Sequence, residues 1–363
     1  MDDELHFDGG FTSESWEYAT AFALSLGTLP TSVTSVVRLL LSDFEAEPST
    51  LSDYGRFFMS RFLKSKNLEA SYYYVCNCLR PEVLPPSNEP FGAPELLHAF
   101  SGEEHAYLLS FIFYHRQAAK YCDRPLFENA TSLLQRGLNI GAIIGGMLPS
   151  VGMGTGLLCG GFRFLAFFSF IRHDPDGFLK YTRHLRAREI PFDWSFEFDR
   201  WQCNSLQVAL MILQRAGLGA ARLCKLMKAI GTRSPTLPDD PFERSCRVVD
   251  IWYRCLAGKL KTPSSPLPPQ FYLSPEELGR IFRRLAGSSE ERPITWLVRS
   301  KNDITPEQTP HIFVNRPPRT VNDRIVSSDL APPPPELEEA LPNDAIESLS
   351  EKLLQDILSV DTD

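Results

Sequence analysis

Residues 137–171 read GLNIGAIIGGMLPSVGMGTGLLCGGFRFLAFFSFI. No charged residue stands between Arg136 and Arg163, and glycine recurs throughout. The segments on either side carry apolar residues at helical spacing on one face. A glycine-rich, uncharged segment among amphipathic helices is either the core they pack around or a membrane insertion. About 20 apolar residues span a bilayer, so length alone permits the second reading. Pro149, the glycines and Arg163 at the most apolar end favour the first: a buried core whose small residues let two helices approach closely. GMGTG at 152–156 invites a phosphate-cradle reading. It lacks the Gly-Lys-Ser/Thr of a P-loop and follows no strand, so it reads as a tight turn between two buried helices.

The bulk composition agrees with an ordinary globular chain. Of 363 residues, 43% are hydrophobic and 23% charged, and the net charge of −8 gives no basic surplus to suggest nucleic acid or an anionic membrane as partner. The first residues, MDDELHFDGG, lack the basic and apolar regions of a secretory signal. Eight cysteines lie mostly within helical apolar patterns; no CxxC pair occurs, and Cys76-x-Cys78 alone does not make a zinc site. They read as reduced, small core residues of a cytoplasmic protein.

Outward from the glycine-rich stretch, helix after helix is predicted. Residues 13–26 form one, stopped by Gly27. Leu29-Pro30 leads a second, with Val33, Val36, Val37, Leu40 and Leu41 on one face. Ser49 or Thr50 is the expected cap of a third. Further helices are expected over 67–79, 95–100 and 103–122, and another opens at Pro125 and runs toward the glycines. Asp174-Pro175 is an N-cap and N1 pair for a helix to about 185. Residues 192–201 read as a loop dense with aromatics and acids, and helices follow over 203–217, 219–230 and 241–260. Nothing before residue 290 alternates with a period of two, so the body reads all-α. Residues 262–270 are a turn-rich linker, and Ser274 with Glu277 caps a short helix. ITWLV (294–298) and HIFVN (311–315) could pair as a small hairpin or dock as extended arms. Residues 320–339 are a proline-rich spacer. The chain closes on an acidic segment in which Ile346, Leu349, Leu353, Ile357 and Val360 recur at helical spacing, a partner-docking or self-docking element.

LPTSVTSVVRLLLSDFEAEPSTLSDYGRFF (29–58), EFDRWQCNSLQVALMILQRAGLGAARLCKLMKAI (197–230) and RVVDIWYRCLAGKL (247–260) together resemble the HDOD (HD-related output domain) family, an all-helical bacterial signalling module related to HD-type phosphohydrolases. Their order and spacing agree over roughly residues 20–260. The resemblance implies an HDOD-like helical domain at 29–261, after an N-terminal helical segment (1–28). A C-terminal extension (262–319) would follow, then a proline-rich linker with an acidic amphipathic helix (320–363). A catalytic HD domain binds divalent metal through one histidine, a histidine–aspartate pair and a late aspartate, because hydrolysis needs a metal-activated water beside the phosphate. By the resemblance, the first histidine falls near Asn129 and the pair at Phe164 and Leu165. A second aspartate–histidine step falls at Cys203-Asn204, and the late aspartate at Tyr253. Phenylalanine and leucine cannot ligate a metal, so these positions are degenerate.

The remaining candidates have plain structural readings. His173-Asp174 is a literal HD dipeptide that could join His184 and His115 in a displaced metal site; Pro175 makes it a loop histidine beside a capping aspartate. Glu197 and Asp199 act as an acid/base pair only if one is desolvated, and otherwise lie in an aromatic-anchored loop. The expectation is a non-enzymatic regulatory protein with no cofactor, acting on a protein partner and not on nucleic acid or a membrane. The alternatives are an HD-type metal-dependent phosphohydrolase, or a membrane-associated protein inserting residues 137–171.

Overall fold

The computed structural model describes residues 11–307 and 312, apart from 49–50, 86–88, 90, 232–235, 259, 261, 264 and 291–295. The chain opens with α1 (Ser13–Leu24), α2 (Thr31–Ala46), α3 (Asp53–Phe62), α4 (Lys66–Leu79), α5 (Ala93–His98), α6 (Gly102–Ala119) and α7 (Arg124–Met147). It continues with α8 (Met153–His173), α9 (Pro175–Arg188), α10 (Trp194–Trp201), α11 (Ser205–Arg215), α12 (Ala220–Gly231), α13 (Pro241–Ala257) and α14 (Pro275–Glu290). No strand occurs among the described residues, so the all-α expectation holds. Two compact units are formed, each from two separate stretches: 1–29 with 113–287, and 30–112 with 288–363.

The first unit is built around α7 and α8, which form an antiparallel hairpin across residues 148–152. Gly152, at φ +84°, supplies the left-handed backbone that lets α8 start at once. Two glycine arrays with a period of four face each other along the hairpin. A Cβ added at Gly137 would lie 2.3 Å from the Gly160 carbonyl oxygen, one at Gly141 2.1 Å from that of Gly156, and one at Gly145 2.2 Å from that of Gly152. Backbone therefore touches backbone, and no other residue fits. Glycine costs roughly 0.5–1 kcal/mol per helical position relative to alanine. That cost is offset because α8 then buries nearly all its side chains, Leu157, Phe162, Phe167 and Phe168 at 0% exposure. Around this pair pack α1, α9, α11 and α13. Helix α8 is long and apolar enough to cross a membrane, and 94% of its most apolar window is buried within the protein.

The second unit comprises α2 to α5, the first part of α6, and the segment after α14. The valines and leucines singled out in α2 are all buried. Ser52 caps α3, not Ser49 or Thr50: its hydroxyl accepts from the Gly55 amide at 3.0 Å and donates to Asp43 at 2.6 Å. Of ITWLV, the described residues Trp296–Val298 are a 3-10 turn and not a strand, with Trp296 fully buried; Ile294 and Thr295 lie outside the described residues. It docks on α4 with the next such turn, Lys301–Asp303. The Ser71 hydroxyl donates to the Arg299 carbonyl at 3.2 Å, and Tyr74 to the Asp303 carbonyl at 2.7 Å. A hydrogen-bonded turn needs no partner strand, which is why short apolar runs cannot be assigned from alternation alone. Apart from Ile312, HIFVN lies outside the described residues, as does the whole 320–363 tail.

Buried ionisable groups make the second unit sensitive to pH in two opposite senses. Glu69 on α4 is 3% exposed, and burial pushes its carboxyl up to about 7 despite Lys66 at 3.0 Å and a bond from the Ala93 amide. His105 is fully buried; its Nε2–H donates to the Leu97 carbonyl at 3.1 Å, and burial lowers it to about 4. The raised carboxyl leaves stability intact below its ordinary pKa of 4.5 and removes it as pH rises through about 7. The depressed histidine does the reverse, with stability present above 6.5 and lost as pH falls through about 4.

Two predictions follow from these contacts. Gly141→Ala is expected to lower stability by about 3 kcal/mol or more, or to abolish folding, since its Cβ meets backbone. Gly146→Ala, with nothing within 4 Å, is expected to stabilise by about 0.5–1 kcal/mol. Urea midpoints check both, and equal effects would refute the close-contact account. For pH, Glu69→Gln is expected to abolish a stability loss of about 3 kcal/mol between pH 4.5 and 8. The thermal midpoint across that range reads it, and an unchanged slope in the variant argues against Glu69 as the source.

Candidate functional site

The glycine seam fixes where α8 presents its one buried charge. Arg163, 4% exposed, donates to the Ser205 hydroxyl from Nη2 at 2.8 Å and Nε at 3.2 Å, and its guanidinium lies 3.6 Å from the Phe192 ring centroid. Ser205 opens α11, and its amide donates to Glu197 Oε2 at 2.6 Å. Tyr181 of α9 donates to Glu197 Oε1, while its hydroxyl oxygen accepts from the Asp193 amide at 3.1 Å. The Ser205 hydroxyl also donates to Glu197. A cation, a hydroxyl, a carboxylate and a phenol thus form one chain of hydrogen bonds through the core, in which only donors face the carboxyl group. Such networks strengthen each member when every group is satisfied.

Electrostatics follow burial. Desolvation raises the Glu197 carboxyl above its ordinary range, with Arg163, Tyr181 and Ser205 pulling it back. Burial likewise lowers Arg163, opposed by Glu197, and drives the Tyr181 phenol well up. Glu197, Tyr181 and Ser205 are each 0% exposed. No substrate atom reaches them from solvent in this conformation.

The surroundings of Glu197 differ from the sequence expectation. Residues 192–201 are not a loop; Trp194–Trp201 is helix α10, capped by Asp193, which accepts from the Phe196 amide at 3.1 Å. Its aromatics pack against neighbours: half-buried Phe196 against Tyr181 and His184, while buried Trp201 stacks on Phe170 at 3.9 Å. Glu197 is desolvated, as the acid/base reading requires of one of the two, but its oxygens are engaged by Tyr181 and Ser205 in the core while Asp199 is exposed.

The residues that stand where the resemblance would place metal ligands scatter over this core. Phe164 and Leu165 are buried on α8; Phe164 meets Phe192 at 4.9 Å and Tyr253 of α13 at 6.3 Å. Cys203 is fully buried, and burial raises its thiol. Asn204 caps α11, accepting from the Gln207 amide at 2.9 Å, and Gln207 in turn donates to Ser15 of α1 at 2.7 Å. Asn129, half-buried near the start of α7, joins neither group. Phe164 and Tyr253 are brought together, and Asn204 adjoins the Arg163–Ser205 contact, but none of these supplies a charged ligand.

The displaced HD dipeptide is not a metal site either. Asp174 accepts from the Gly177 amide at 3.0 Å, from Arg200 at 2.7 Å and from Trp201 Nε1 at 3.1 Å; Arg200 foremost holds its carboxyl below the usual range. His173 lies tilted against Phe22, their ring centroids 4.4 Å apart, His184 pairs with Asp193 at 2.8 Å, and His115 bonds Thr131 at 2.9 Å. Among the described residues, no group of three or more histidines, cysteines and carboxylates could hold a metal ion. The Arg163–Glu197 network was missed at the sequence level. Its only signal was a lone arginine in an uncharged run and a lone glutamate between aromatics.

No family model matches this chain, and neither a curated protein nor a solved structure matches it.

Arg163 and Glu197 meet through Ser205, and removing one partner of a buried charge pair typically costs about 3–5 kcal/mol because the other charge is stranded. Glu197→Gln and Arg163→Met are each expected to lose roughly 3 kcal/mol, and the double variant clearly less than the sum. Denaturant midpoints of the four chains measure this; strict additivity would show that the two residues are not one network.

Proposed function

We propose that this chain is a non-enzymatic regulatory protein that works through protein–protein contact on an HDOD-like helical body. The carrying observation is the filling of the presumed metal positions by Phe164, Leu165, Cys203 and Tyr253, all packed in the core. Hydrolysis of a phosphate ester needs an activated water and charged ligands within reach of solvent. The buried charged network offers neither, since its donors and acceptors are spent on one another.

In this reading the helical body is the scaffold and the segment after residue 320 supplies contact. Ile346, Leu349, Leu353, Ile357 and Val360 recur at helical spacing in an acidic sequence, as amphipathic docking helices do. They lie outside the described residues. The phosphohydrolase alternative would have to recruit His173 and Asp174, and both are engaged elsewhere. The membrane alternative would have to unpack α8 and carry Arg163 into lipid, at several kcal/mol for the charge alone.

Affinity capture with the full chain tests the proposal. A protein partner is expected in stoichiometric amount, and lost when Ile346, Leu349 and Leu353 are changed together to serine. Identical capture by both chains removes the tail from the mechanism. Absence of any partner, together with turnover of a phosphate ester, sinks the proposal.

A further inference from the structure

Helix α13, in the first unit, holds a buried guanidinium group that the protein does not pair. Arg247, Asp250 and Arg254 follow at intervals of three and four, so their side chains share one face of the helix. Arg254 is paired with Asp250 at 2.9 Å. Arg247 is 8% exposed, makes no hydrogen bond or ion pair with any described residue, and has a buried Nε–H that donates to no protein atom. Four other arginines bury an unpartnered Nε among the described residues, but each of those is only half-buried. An unpaired buried charge is costly, and an anion that accepts from it removes the cost.

Helix α7, packed on α13 in the same unit, brings a second unpaired guanidinium to this place. Arg136 is exposed and bonds no described residue. It lies close enough to Tyr253 to act on its phenol: burial drives that group up, Arg136 and Arg163 draw it back, and Asp250 pushes it up again. Tyr253 is buried, and its hydroxyl also bonds no described residue. Among the described residues, Asp250 is the one carboxylate that acts on Arg247 or on Tyr253. Arg163 is spent on Ser205 and, through it, on Glu197. Glu243 and Arg244, at the start of α13, add one charge of each sign. Arg136, Arg247 and Arg254 against Asp250 therefore leave a surplus of two positive charges.

We propose that Arg136, Arg247 and Tyr253, with Arg254 beside them, bind a phosphate dianion, either free or as the monoester of a small molecule. The guanidinium fork matches the geometry of phosphate oxygens, and a phosphate monoester carries about −1.5 to −2 charge at pH 7, which answers this surplus where a carboxylate would answer half of it. Asp250 competes with the anion for Arg254 and so sets the affinity. The site goes beyond the partner-binding reading given above and does not rest on it, since it uses no residue of the tail.

Isothermal titration of the full chain with inorganic phosphate and with glucose 6-phosphate, at fixed ionic strength and pH 7.5, tests this. R136Q and Y253F are each expected to weaken binding by about fivefold, and R247Q by about tenfold or more, the scale of a lost charge-assisted hydrogen bond. D250N is expected to tighten binding by about threefold or more, because it removes the repelling carboxylate and frees Arg254, an effect of opposite sign that mere loss of structure does not produce. R136Q and D250N keep the test open if R247Q does not fold. R183Q, which removes an exposed charge on α9, is expected to change nothing. Tighter binding of glucose 6-phosphate supports the site with an ester as its ligand, and equal binding of the two supports it with the free ion. No binding of either at millimolar concentration overturns the proposal. So does weaker binding by D250N, or a loss in R183Q equal to that in R136Q. Binding of a DNA duplex or an acidic peptide that depends on Arg136 and that neither phosphate displaces also overturns it.

Discussion

Backbone contact between α7 and α8 is the constraint on which the first unit depends. Three glycine pairs, 137 with 160, 141 with 156 and 145 with 152, remove every side chain from the seam. Each glycine weakens its own helix, and eight of them in two helices would leave isolated segments poorly formed. Packing reverses this, because contact at backbone distance lets the large side chains of α8 turn outward into a ring of further helices. Aromatic residues dominate that ring, and Phe162, Phe167, Phe168 and Phe170 are all at 0% exposure. Helix pairs in lipid use the same small-residue device. In this chain the flanks of the pair are covered by protein.

The seam also decides what sits at residues 163 and 164 of α8. An added Cβ at Gly137 would lie 2.6 Å from the Phe164 ring, so the missing side chain is what makes room for that phenylalanine. One residue earlier, Arg163 is directed to Ser205 and Glu197. Apolar closure at Phe164 and charge satisfaction at Arg163 are neighbouring consequences of one helix placement. A buried ion pair gains little net stability over apolar packing. Its clearer effect is to tie α8, α10 and α11 together, while Tyr181 adds α9 through the same carboxylate.

How much of this was legible depended on the range of the interactions. Helix starts were readable at some local caps, Asp174 with Pro175, and Ser274 with Glu277, whose mutual bonds are 2.6 and 3.2 Å, but not at Ser52 of α3 or Asp193 of α10. The close approach of two helices was readable from small residues, and the period-four arrays fixing its register are visible in hindsight. Helix α10 was not, because its eight residues are too few for periodicity to show and its aromatics face neighbours on several sides. The grouping of 30–112 with 288–363 rests on bonds such as Tyr74 to Asp303, more than 220 residues apart, which no local pattern carries. Glu197 belongs to the same class, since its meaning lies entirely in Arg163, Tyr181 and Ser205.

In the first unit the Arg163–Ser205–Glu197–Tyr181 network is spent on its own members. Hydrophobic packing in the first unit is inward, and what it leaves outside is both charged and apolar, with Tyr18, Leu24, Tyr121, Tyr272 and Phe282 all exposed. Exposed basic residues hold their charge across the physiological range, and their mutual repulsion is relieved only by an anionic neighbour. The strongly acidic end of the chain has the opposite need, since its like charges oppose one another until paired.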